Sequence, residues 1–170
     1  MKQILAGVIA LVVCCGALPA YPLGTTLLDI RNGIFEEAKQ VQSLLNQSKD
    51  AGLVVSMWDT CIISVTQLNG YFYMLGIFEK IKTEDLSEEP INYLLSWLLE
   101  IRKTNDMNIK SLEQYAMPVE AKTKAQRERI RGYFVELNKR IDREITKIKL
   151  LWQSVQVKRT PKIIEATPKR

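Results

Sequence analysis

Apolar residues recur every three or four positions through most of this chain, which is the period of an amphipathic α-helix. Leu27, Ile30, Ile34, Ala38, Val41 and Leu45 form one such stripe and predict a helix over 26–48. Thr26, with Asp29 three residues later, imitates a capping box at its start. The next segment has a different character. From Leu53 to Phe78 it holds one charge, Asp59, and its apolar residues fall on every face, predicting a helix over 51–82 with Asp50 as N-cap. A helix apolar all round belongs in the centre of a bundle or in lipid. Ser56, Asp59, Thr60, Ser64, Thr66, Gln67 and Asn69 favour the bundle, because an Asp at mid-span costs about 3 kcal/mol in a membrane. A further reading gives one face of this helix to a partner or to a second copy.

A third helix is expected over 87–116. Thr83, Ser87 and the carboxylates Glu84, Asp85, Glu88 and Glu89 precede or open it, and Pro90 suits a first turn. Ile91, Leu94, Leu95, Trp97, Leu98 and Ile101 set its stripe. The phase falters at Lys103-Thr104-Asn105-Asp106 and resumes at Met107, Ile109, Leu112 and Tyr115, predicting a kink or short break near 104–108. Pro118 separates it from a fourth helix over 119–156. There Ile130, Phe134, Leu137, Ile141, Ile148, Leu151 and Val155 make a near-heptad seam of the coiled-coil kind, with Ile145 covering for Glu144. At 1.5 Å per residue this helix spans about 55 Å against about 35 Å for the first, so it overhangs the others or bends, with Gly132 as the candidate hinge. The connections are short, and short loops join antiparallel neighbours. The expected fold is all-α: an up-down-up-down bundle of four long helices.

The first residues do not fit that pattern. Met1-Lys2 gives a charged start, residues 4–15 are an unbroken apolar run, and Gly16-Ala17-Leu18-Pro19-Ala20 is small and turn-prone. That is the tripartite form of a secretory signal peptide, cut after Ala17 or Ala20. The run is short for a membrane span. An uncleaved anchor is the alternative, and lipidation at Cys14 or Cys15 is disfavoured because Val13 or Cys14 would precede the modified thiol. The organisation is therefore a signal peptide over 1–20, a bundle over 21–156, and a basic tail over 157–170 whose Pro161, Pro168 and charges predict disorder. With the leader removed only Cys61 remains, beside Ile62 and Ile63, as a buried thiol acting as a small hydrophobe.

Charge is distributed unevenly around a net of +5. Residues 21–120 carry 8 bases against 14 acids, residues 121–156 carry 10 against 4, and the tail adds +4. Lys122, Lys124, Arg127, Arg131, Lys139, Arg140, Arg143 and Lys147 form a candidate basic surface on the fourth helix, suited to an anionic partner. The competing and preferred reading pairs them with acidic neighbouring helices. Nucleic acid is not expected, since the bases lack interleaved aromatics for stacking.

No histidine is present in the chain, which removes Ser-His-Asp and Cys-His nucleophiles and the Glu-x-x-His pairs of di-iron bundles. No metal site, phosphate loop, calcium loop or cofactor motif is read, and no enzyme is expected. Trp58, Trp97 and Trp152 suit core packing. Asp59 is the singular polar residue, a candidate buried anchor paired with a base of the fourth helix. The expected function is that of a non-enzymatic exported bundle of a bacterial periplasm or cell envelope, working through an unidentified protein partner or as a homo-oligomer. The alternatives are a secreted helical ligand or effector acting on another cell, and a membrane-active protein using residues 53–78.

Overall fold

The computed structural model describes residues 23–82, 85–115 and 120–159. Residues 1–20, where a signal peptide is expected, and the last eleven residues lie outside them. Four helices follow one another: α1 (Thr25–Leu44), α2 (Ala51–Phe78), α3 (Glu88–Glu113) and α4 (Ala121–Arg159). There is no strand among the described residues. α1 packs on α2 and α4, and α3 packs on the same two, while of the diagonals only α2 and α4 touch. This is the square section of an up-down-up-down bundle.

The expected stripes form the core. Leu27, Ile30, Ile34 and Val41 of α1, Ile91, Leu94, Leu98 and Ile101 of α3, and Ile130, Phe134, Leu137, Ile141 and Ile148 of α4 are all buried. From α2 come Leu53, Val54, Met57, Cys61, Leu68, Tyr71 and Leu75. Ordinary burial of one such aliphatic side chain contributes about 1.5–3 kcal/mol.

The helix ends depart from the sequence reading in instructive ways. α1 is capped by Gly24 at φ +78°, with no side-chain cap from Thr26 or Asp29. A Cβ at Gly24 would also come within 2.8 Å of Leu75 Cδ2, so both the backbone and the space call for glycine. α1 stops at Leu44 instead of residue 48, because the Ser48 hydroxyl bonds Thr123 Oγ1 at 3.0 Å and accepts from Asp50 N at 3.0 Å. Asp50 is the N-cap residue of α2, yet its side chain makes no cap. Its Oδ2 instead accepts from Glu120 N at 2.9 Å, tying the entry of α4 to the entry of α2. α2 ends at Phe78 and α3 at Glu113, each a few residues early. α4 runs to Arg159, so three residues assigned to a disordered tail are helical.

Two corrections concern the core. No break occurs at 104–108: α3 is continuous, and Asn105 and Asn108 continue the stripe from Ile101 to Leu112 as buried residues. Asn105 Nδ2 donates to Phe134 O at 2.7 Å and to Asn138 Oδ1 at 2.9 Å, and Asn108 Nδ2 donates to Ser64 Oγ at 3.3 Å. With its amide nitrogen partnered in this way, Asn105 occupies a core position without interrupting the helix, although its Oδ1 is buried with no hydrogen-bond partner among the described residues. Nor does Ile145 replace Glu144 in the seam of α4. Glu144 is itself fully buried there, and Ile145 is only half-buried.

Candidate interaction surfaces

Asp59 does not act as the expected buried anchor. It is exposed on α2, and no base of α4 reaches it among the described residues. The face it occupies points away from the core, between the half-buried Trp58 and Ile62. The buried carboxylates are Glu37 and Glu144, which the sequence reading passed over. Glu144 Oε1 accepts from the Tyr71 hydroxyl at 3.0 Å and from the Gly24 backbone N–H, and its Oε2 lies 3.5 Å from Lys147 Nζ with no hydrogen bond. Burial, followed by the Glu144 charge, pushes the Tyr71 phenol well above its usual range. Glu37 accepts from Gln126 Nε2 and lies 3.4 Å from Arg129 Nε, while Arg129 also bonds Gln126 and Gln40. These two carboxylates hold α4 against α1 and α2. The signal that could have found them is register: Glu144 stands seven residues from both Leu137 and Leu151.

Cys61 is buried, as expected. Desolvation, and after it the nearby Glu37 charge, pushes its thiol up to about 12. That leaves a protonated, unreactive side chain. No group of three or more His, Cys, Asp or Glu among the described residues is placed to hold a metal ion.

The eight candidate basic residues do not share one surface. Arg127 and Arg131 turn toward α3, where Arg127 Nη1 donates to Tyr115 O at 2.6 Å and Arg131 Nε to Glu113 Oε1 at 2.9 Å. Arg140 and Lys147 turn the other way. Arg140 Nη1 donates to Thr26 O at 2.6 Å and its Nε to Glu136 Oε1 at 3.1 Å, and Lys147 approaches Glu144. The Arg140 hydrogen bond holds the Glu136 carboxyl below its usual range, and Lys139 also lies 3.9 Å from Glu136. Lys122, Lys124 and Arg143 are exposed. Local pairing thus accounts for most of the basic excess of α4. Between α1 and α4 a shallow cleft of about 360 Å³ is lined by Asp29, Glu136, Arg129, Arg140 and Tyr133, with acids and bases in balance.

Exposed apolar side chains occur on all four helices, and those of α2 share one side. On the outward side of α2, Val55, Ile63, Tyr73 and Ile77 are at least 44% exposed, Tyr73 reaching 72%. Phe35 of α1 flanks this face, sharing its shoulder with Arg31, whose Nε donates to Asn69 Oδ1 at 2.9 Å. Tyr93 of α3 flanks the other side, 6.1 Å from the ring of Trp97, whose Nε1 donates to Gln67 O. Met74, Ile77, Phe78, Ile81, Pro90, Tyr93 and Leu94, with Glu89 at one side, line a mostly apolar groove of about 240 Å³ where α2 meets α3. α2 is also the one described helix long and apolar enough to cross a membrane, although its flanks pack on α1 and α3. No family model, no curated protein and no solved structure matches the chain.

Proposed function

We propose that this is a non-enzymatic helical-bundle protein exported to a bacterial periplasm or cell envelope, and that it works by binding a protein through the outward face of α2. The observation that carries this reading is the asymmetry of the surface. On the outward face of α2 the exposed Val55, Ile63, Tyr73 and Ile77 are joined by the polar Thr66 and Asn69 and by one charge, Asp59, whereas the bases of α4 are largely paired. Soluble monomers scatter their exposed hydrophobes, and clusters of them mark interaction surfaces. The apolar run over 4–15 and the small residues after it support export.

Cell fractionation with N-terminal sequencing tests the reading. The protein is expected in the soluble envelope fraction, beginning at Leu18 or Tyr21. Recovery from the culture medium would favour a secreted ligand or effector. Recovery only with detergent, together with flotation on liposomes, would favour a membrane-active protein using α2. Retention in the cytoplasm with Met1 or Lys2 at the N-terminus would contradict export.

A further inference from the structure

The outward face of α2 is complementary to itself. Its exposed positions Val55, Asp59, Ile63, Thr66, Asn69, Tyr73 and Ile77 are separated by four, four, three, three, four and four residues, a spacing that reads the same in both directions. A two-fold axis crossing α2 at Thr66 would lay this face on its own copy, antiparallel. Val55 would then meet Ile77 of the second copy, and Ile63 would meet Asn69. Asp59 would meet Tyr73. Both are exposed, and neither makes a hydrogen bond or ion pair with any described residue.

We propose that the protein forms a symmetric dimer through α2, with each Asp59 carboxylate accepting a hydrogen bond from the Tyr73 hydroxyl of the second copy. The proposal rests on the interaction reading above and names its partner. A two-fold contact pairs residue i with j and j with i, which is the relation this face satisfies. The two Asp59 charges stand about 21 Å apart along the paired helices, so they do not repel at close range. The paired stretch is about 33 Å long. Phe35 and Tyr93 on its flanks enlarge the contact toward the roughly 800 Å² per partner of a stable interface. Lipid fits the same face less well, because the Asp59 carboxylate near its centre is costly in hydrocarbon.

Sedimentation equilibrium of the purified natural protein tests the proposal. A dimer is expected, and Asp59→Ala and Tyr73→Phe should each weaken it about a hundredfold, since each removes both hydrogen bonds of the symmetric pair, about tenfold apiece. The double variant should be little worse than either single one, because the two side chains act as a pair. Thr66→Arg sets two cations on the axis and should give a monomer with undiminished helical circular dichroism. A parent that is monomeric throughout the micromolar range overturns the proposal, as does a dimer indifferent to Thr66→Arg. So does a dimer that dissociates into vesicles of anionic lipid. In these cases the broader reading stands or falls separately, on whether a photoreactive group at position 73 captures a different protein.

Discussion

Tyr71 and Glu144 meet in the core, and replacing Tyr71 by Phe deletes a donor to a carboxylate that is fully buried. Hydrogen bonds to charged groups contribute about 1.5–3 kcal/mol, so Tyr71→Phe should lower the free energy of unfolding by that amount in urea melts. Asp59→Ala, on an exposed face, should fall within about 0.5 kcal/mol when measured at concentrations where the protein is monomeric. The ordering of these two variants is the reverse of what charge content along the sequence suggests. Cys61 and Tyr71 also set the alkaline behaviour. Both have folded-state pKa values raised above their ordinary ones, by burial first. Above pH 9 the unfolded chain releases the Cys61 proton while the folded one keeps it, so stability is full below about pH 9 and falls as pH rises toward 12. Tyr71 adds to that fall above pH 10. A pH series of melts should show this decline, and Cys61→Ala should make it shallower at its onset. The thiol should react with Ellman's reagent only on unfolding.

Helices were largely legible from periodicity, because each needs one apolar stripe against its neighbours, and Leu27 through Val41 or Ile91 through Ile101 supply it without interruption. Where a stripe carried a polar residue, sequence alone misjudged it. Asn105 and Asn108 resembled a break, and Glu144 resembled a vacancy for Ile145 to fill, because their burial depends on partners in other helices: Phe134, Ser64, Tyr71 and Gly24. Such long-range hydrogen bonds leave no periodic trace. The helix ends were misplaced for a similar reason, since Ser48 and Asp50 serve α4 and not only their own segment. Glycines give an element-scale test. A Cβ at Gly33 would lie 2.4 Å from Tyr133 Cε1, whereas one at Gly132 would meet open space. Gly33→Ala should therefore push α1 and α4 apart and cost about 1–3 kcal/mol. Gly132→Ala, relieved of glycine's entropy in mid-helix, should stabilise by about 0.5–1 kcal/mol. Thermal melts of the two would separate close packing from a hinge at 132, which a stabilising alanine would contradict.

For the molecule as a whole, the four-helix antiparallel topology followed from short connections, and the sequence offered one face of α2 to a partner or a second copy without marking which residues form it. The sequence of α2, apolar on every face, predicts a central helix. It is central on its inner side, with Leu53, Met57, Cys61, Leu68 and Tyr71 buried, and open on its outer side at Val55, Ile63, Tyr73 and Ile77. Composition could not divide those two sets, because the division depends on where α1 and α3 lie. The basic excess of α4 behaved in the opposite way: conspicuous in sequence, then dispersed over two flanks and paired with Glu113, Glu136 and Glu144. The central claim is that the outer face of α2 is a protein-binding surface. In living cells, a photoreactive phenylalanine at Tyr73, compared with one at the exposed Lys149 of α4, tests it most directly. The account predicts protein cross-links from position 73, at Asp59 of a second copy or on another protein, and none above background from position 149. Equal labelling from both positions, or labelling of lipid alone from position 73, would contradict it.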